Sequence, residues 1–216
     1  MAKSISRSGA ASSSAERPLL NDLGIRPRIA FPFSPAKATA TLHFLTEVMS
    51  SPMRIEHPLL RLKAVMAVLW IADVRHFQAE QRPITGTRWQ AYPQGPVPTD
   101  IVALINGDPI WLAELPETEY AAPFEIPSDF VARNLRVRFA HDPKKLLSSS
   151  ERETLKKAVV TGKDLKRSKR QTAMRGEAYQ LTPLYEVIPW ELMLAPKMRT
   201  KDVISKLTVT ARKTTL

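Results

Sequence analysis

Residues 58–80, PLLRLKAVMAVLWIADVRHFQAE, constrain this chain most strongly, because read as a helix they are apolar on nearly every face. Leu59, Leu60, Leu62, Val65, Met66, Val68, Leu69, Trp70, Ile71 and Phe77 almost encircle it. A helix that is apolar all round has to be covered on all sides, by lipid or by protein. Lipid is disfavoured: Arg61, Lys63, Asp73 and Arg75 interrupt the run. The longest continuous apolar stretch, Ala64 to Ala72, is also too short, since a span needs about 20 residues. The segment is therefore expected to be the buried central helix of a helical domain, with Pro58 in its first turn.

The neighbouring segments supply what should cover it. After Ala38, the recurrence of Leu42, Leu45, Val48 and Met49 predicts a helix that Pro52 ends. Downstream, RPITGTRWQAYPQGPVPTD at 82–100 is dense in glycine and proline. Thr87 to Tyr92 alternates and reads as a short strand closed by Pro93. Gly95-Pro96-Val97-Pro98 reads as a rigid extended turn, after which Thr99 or Asp100 caps a helix through Ile101, Leu104 and Ile105. Phe124 to Ile126, and Leu135, Val137 and Phe139, read as two more short strands. Ser148 and Glu151 match a capping box opening a helix with Leu155, Ala158 and Val159, which Gly162 is expected to stop. The apolar groups of PLYEVIPWELML, 183–194, should pack on the core. The expected fold class is α+β and predominantly α-helical: a single helical domain around the buried central helix, with a small β-sheet or hairpin and no internal repeat.

The length of 216 residues suits one domain with appendages. Charge shows where the appendages lie. The net charge is +11, and it concentrates at the ends: residues 1–40 carry six basic and two acidic groups, and 151–216 carry fifteen and seven. Residues 1–39, rich in Ser, Ala and Pro, read as a flexible basic arm, 40–195 as the folded domain, and 196–216 as a basic tail. Lys163, Lys166, Arg167, Lys169 and Arg170 form the densest basic cluster, expected in a loop or exposed helical turn. Such charge favours an anionic partner, either DNA or RNA or an acidic protein surface.

The chain has no cysteine, which excludes disulfide frameworks, thiolate nucleophiles and Cys-based metal sites. Its start lacks the apolar stretch of a secretory signal, so a cytoplasmic location without membrane contact is expected. His43, His57, His76 and His141 show no metal-ligand spacing, and no phosphate-binding glycine loop or nucleophile elbow is present. No metal, no cofactor and no catalytic residue is therefore expected. The sharpest local pair is Asp73 with His76, three residues apart on one helix face. It reads either as a general base or as polar groups that tie the Gly/Pro loop to the helix, and the absence of a nucleophile favours the second. Trp70, Trp89, Trp111 and Trp190 fall on different elements and read as packing anchors.

One pattern in the middle of the chain is specific. LWIADVRHF followed by RPITGTRWQAYPQGPVP closely resembles the SocA-like antitoxin family, or Panacea domain. Its members show an apolar helix ending in A-D-x-x-H and then G-R-P-I-T-G-x-x-Y-x-A-x-x-x-G-P-V-P. Asp73, His76, Pro83, Thr85, Gly86, Gly95, Pro96 and Pro98 fall on that framework, while Trp89 stands where the family usually has Tyr. LLSSSERETLKKAV, 146–159, and EAYQLTPLYEVIPWELML, 177–194, resemble further family segments, except that Arg175-Gly176 stands where a histidine is usual. The resemblance implies a non-enzymatic antitoxin that binds and neutralises a cognate protein toxin, with a protease as a second partner where members act as adaptors. The loop surface, Arg75, Arg82, Arg88, Trp89, Tyr92 and Gln94, is the expected toxin contact. A nucleic-acid-binding protein or operon autoregulator using the basic ends is the alternative, and an enzyme centred on Asp73 and His76 a third.

Overall fold

The computed structural model describes residues 28–50, 60–115, 124–125, 134–137, 145–164 and 172–213. At its centre stands α2 (Leu62–Glu80), in which the stretch from Val65 to Asp73, together with His76 and Phe77, is buried. α1 (Pro35–Ser50) and α5 (Ser149–Asp164) pack around it, and the core includes Leu42, Leu45, Leu69, Ile101, Leu104 and Leu155. The expected central helix therefore exists, but it starts at Leu62 rather than Pro58. Leu60–Arg61 form a short strand, β1, whose backbone is taken by pairing with a later strand.

Two small sheets complete the fold. β1 pairs antiparallel with β5 (Asn134–Val137), and β5 with β4 (Phe124–Glu125), in the order β1-β5-β4. The two short strands read from the sequence are these last two, with Ile126 and Phe139 outside the described residues. The second sheet is a hairpin of β2 (Trp89–Tyr92) and β3 (Gly95–Pro98), in register from Trp89 opposite Pro98 to Tyr92 opposite Gly95. The expected rigid turn at 95–98 is thus itself a strand. Its prolines confine it to a sheet edge, because they lack the N–H a further neighbour would need.

α3 (Thr99–Ile105) follows without a side-chain cap. Neither Thr99 nor Asp100 caps it, since the Asp100 carboxylate is turned back to Arg88. α4 (Pro109–Ala113) is capped by Asp108, which accepts from the Ile110 N–H at 2.9 Å. The capping box forms as read: Glu151 Oε2 accepts from the Ser148 N–H at 2.8 Å and Ser148 Oγ from the Glu151 N–H at 3.3 Å. Gly162 does not stop the helix it opens. It is buried inside α5, where a Cβ would lie 2.8 Å from Val68 Cγ2, so its role is to let α2 and α5 approach closely. Lys163 is consequently helical, while Lys166, Arg167, Lys169 and Arg170 lie outside the described residues.

Order extends beyond both ends of the segment expected to fold. Before α1, Ile29 is buried, Phe31 packs edge-on against Phe77 and Trp190 at 5.8 and 5.5 Å, and Phe33 against Trp111 at 5.0 Å. Residues 28–34 therefore form a strap across the core rather than part of a free arm. After α6 (Glu177–Gln180), α7 (Trp190–Met193) and a 3-10 turn at Pro196–Met198 comes α8 (Lys201–Lys213). Its charge dominates the expectation of a basic tail, yet Leu207 and Ala211, spaced by one turn, are buried.

The junction after α2 carries local strain. Gln81 sits at φ 57°, in the left-handed region, and its N–H donates to the Phe77 carbonyl at 2.9 Å to close the helix. Glycine is favoured there, and the resembled pattern has glycine at this position. Gln81→Gly is expected to raise stability by about 1 kcal/mol, read as a higher midpoint in urea with an unchanged slope. An unchanged or lower midpoint would mean that the Gln81 side chain offsets the strain.

Candidate functional site

The loop between α2 and the hairpin is fastened from below by two buried side chains of α2. Asp73 Oδ1 accepts from the Ile84 N–H at 2.8 Å, and Oδ2 from the Trp89 indole N–H at 2.9 Å. His76 Nδ1 lies 2.8 Å from the Arg82 carbonyl and so carries the proton that it donates. Burial raises the Asp73 carboxyl to about 6, against the pull of its two donors, and lowers the His76 imidazole below its usual value. Both residues have no exposed surface. A partner arriving from solvent meets the loop they hold, and not the pair itself.

Beside them lies a second buried carboxylate, Glu151 of the capping box. Its Oε1 receives Lys37 Nζ at 2.6 Å and Arg82 Nη1 at 3.1 Å. Burial pushes this carboxyl up, but the hydrogen bonds from Lys37 and the Ser148 N–H, with the two cations, outweigh it and hold it below the usual carboxylate range. Thus α1, the loop and α5 meet at one residue.

The loop is also held from above. Gly86 sits at φ 75°, and a Cβ there would lie 2.0 Å from the Pro32 carbonyl oxygen. The strap at 28–34 passes directly over it, with the Ser34 N–H donating to the Thr85 carbonyl at 3.0 Å. The strap's beginning is clamped by Glu191, whose Oε1 accepts from the Ile29 N–H at 2.9 Å and from that of Arg28. Pro83, Thr85, Gly95, Pro96 and Pro98 are all buried in this framework.

The residues expected at the surface separate into two groups. Arg75, Arg82, Arg88 and Gln94 are exposed. Arg75 donates to Thr161 Oγ1, Arg82 is tied to Glu151, and Arg88 forms a forked pair with Asp100 that raises its own pKa. Trp89 has to be corrected. It is 1% exposed, faces inward against Trp70 with ring centroids 5.0 Å apart, and contributes to the framework, not to contact. Strand alternation puts Trp89 and Ala91 inside and Gln90 and Tyr92 outside.

A further segment, read from the sequence as core, completes the outer face. Residues 185–188 add to the free edge of β2: the Ala91 N–H donates to the Glu186 carbonyl at 2.9 Å and the Ile188 N–H to the Trp89 carbonyl at 2.7 Å. Val187, Gln90 and Val97 then stand in a row across the sheet. Beside them Tyr185 packs edge-on to Tyr92 at 5.4 Å. Leu184, Tyr185 and Val187 are 40%, 60% and 47% exposed, an aromatic-aliphatic cluster on the surface. Tyr185 is held at φ 66°, an unfavourable conformation for a side chain of its size. Behind the hairpin turn, Arg175 donates to the Pro93 carbonyl and the Tyr179 hydroxyl to that of Tyr92, both at 2.7 Å.

The family model for the SocA-like antitoxin, Panacea domain, matches residues 65–172, half of the chain, from within α2 through the hairpin and α5. The chain belongs to the SocA-like antitoxin family. A search of curated proteins found no match, and nor did a search of solved structures. In this Panacea domain the matched region contains the Asp73 and His76 framework, the Gly86 contact and both hairpin strands. Residues 184–188, which finish the outer face, lie beyond the match. Arg175, which with Gly176 stands where the resembled pattern has a histidine, braces the hairpin turn through the Pro93 carbonyl. Among the described residues no helix is long and apolar enough to cross a membrane, and no group of side chains is arranged to hold a metal ion.

Proposed function

We propose that this Panacea domain is a non-enzymatic antitoxin, acting in the cytoplasm, that neutralises a cognate protein toxin by direct contact through the outer face of the hairpin. The family supports the antitoxin role. The observation that carries the surface assignment is Tyr185, an aromatic residue held in a left-handed backbone conformation and left exposed beside Tyr92, Leu184 and Val187. Strained residues of this kind persist where the surroundings over-determine them, and they cluster at functional sites. Tyrosine is among the residues enriched in protein hot spots, and Tyr92 and Tyr185 stand together on this sheet.

The framework beneath serves the same end. With Asp73, His76 and Gly86 fixing the loop, docking on the hairpin would lose little conformational entropy. Arg88 and Gln94 lie at the rim, where charge and hydrogen bonding set orientation more than affinity.

Growth rescue tests this reading. Co-expression of the chain with the toxin of its two-gene pair is expected to restore growth. The double variant Tyr185→Asp/Val187→Asp is expected to lose rescue while its melting temperature stays within a few degrees of the parent, since both side chains are exposed. Full rescue by the double variant would place the contact elsewhere.

A further inference from the structure

α8 (Lys201–Lys213) carries Lys201, Lys206, Arg212 and Lys213 against a single acidic residue, Asp202. Its apolar stripe is already used: Leu207 and Ala211 are buried, and Val203 and Ile204 pack against the core. At about 100° per residue, the remaining arc points outward, with Lys206 and Lys213 on one flank and Lys201 and Arg212 on the other. Among the described residues none of these four takes part in an ion pair. Lys197, one turn before the helix, is exposed as well.

Helix stability does not explain this charge. Arg212 and Lys213 complement the negative end of the helix dipole, but Lys201 stands in the first turn, where a cation is unfavourable, and Lys206 lies in the middle. A protein partner is poorly matched, since the only large apolar side chain exposed on α8 is Val209 and protein interfaces need a desolvated apolar centre. An anionic membrane would need the apolar stripe that the core already covers. A phosphate backbone differs from both, because neutralisation by Lys and Arg alone supplies its nonspecific affinity.

We propose that the outward face of α8 binds the phosphate backbone of duplex nucleic acid, a site distinct from the hairpin surface and independent of the toxin reading. The chemistry of the two faces differs accordingly: aromatic and aliphatic at the hairpin, basic and nearly free of apolar groups on α8.

The test is a titration of the full chain against a labelled random-sequence duplex DNA at about 50 and about 200 mM salt, with duplex RNA in parallel. The parent is expected to bind both duplexes and to weaken steeply with salt. The variant Lys201→Gln/Lys206→Gln/Lys213→Gln is expected to bind at least tenfold more weakly at the lower salt, with a log–log salt slope shallower by about 3. Its melting temperature and its growth rescue should match the parent's. Lys156→Gln/Lys157→Gln on α5, where Lys157 already pairs with Glu153, should leave the slope nearly unchanged. The proposal is overturned if the parent shows no salt-dependent binding. It also fails if the triple variant keeps the parent's affinity and slope, or loses rescue while still binding duplex, which would assign α8 to the toxin.

Discussion

Asp73→Ala is expected to destabilise the chain by about 4 kcal/mol, the sum of two buried donors left unpaired at about 1–3 kcal/mol each. The Ile84 N–H and the Trp89 indole N–H lose their acceptor together, and neither is placed to reach water. Asp73→Asn keeps the volume and one acceptor but turns an NH₂ group toward the second donor, so about half of that loss is expected. Urea denaturation of the three proteins at pH 7 measures the order. A loss below about 1 kcal/mol for the alanine variant would show that the loop is held by its prolines alone.

The same series carries a pH signature. The folded carboxyl is raised to about 6, above the unfolded value, so the folded state binds the extra proton between those two values. Asp73 therefore makes the chain more stable as pH falls from about 6 toward 4, and its ionisation is a cost above pH 6 that its two donors reduce. His76, lowered in the fold, acts with the opposite sign below its unfolded value, and Glu151, also lowered, does so as pH falls through the carboxylate range. Removal of Asp73 should steepen the acid loss of stability measured between pH 6 and 4.

Gly86→Ala is expected to cost more than about 3 kcal/mol, because two penalties coincide. The backbone at φ 75° is unfavourable for any L side chain, and the new Cβ would overlap the Pro32 carbonyl oxygen, 2.0 Å away. Relief requires the strap to move. That would break the Ser34 to Thr85 hydrogen bond and lift Phe31 and Phe33 from their aromatic partners. Gly107 is the natural control: its φ is 85°, but nothing lies within 4 Å of its Cβ position. Gly107→Ala should cost about 1 kcal/mol, the conformational part alone. Equal costs at the two positions would mean that the strap yields freely and does not close the loop.

Much of this arrangement was legible in the sequence. The apolar residues that encircle the segment 62–77 require a central helix once its charges exclude lipid, and the spacing of Asp73 and His76 places both on one face below the loop. The capping box is legible from two residues, because both of its hydrogen bonds are local. What escaped depended on contacts between distant segments. Gly162 has the composition of a helix stop, and only the position of Val68 on another helix makes it a close-approach residue. The composition of residues 1–39 hides the strap in a polar arm, although Ile29, Phe31 and Phe33 alternate in a way that signals an extended, half-buried segment.

Trp89 and the segment 184–187 depart from their sequence readings for related reasons. Trp89, which the sequence offers both as a packing anchor and as contact surface, is only the first, as the alternation of Trp89 and Ala91 with Gln90 and Tyr92 indicates. Leu184, Tyr185 and Val187 are expected in the core because they are apolar, and the structure leaves them exposed. Pro183 and Pro189 bracket that segment and keep it out of a helix, so it pairs with β2 and presents side chains to solvent. Flanking prolines were the available signal, and apolar content outweighed it.

Titration of the purified chain with its purified toxin partner tests the central claim most directly. The hairpin reading requires a stoichiometric complex whose Kd rises at least thirtyfold, or about 2 kcal/mol, in Tyr185→Asp/Val187→Asp and is unchanged in Lys201→Gln/Lys206→Gln/Lys213→Gln. A complex as tight in the hairpin variant as in the parent, or no complex at all, would contradict it.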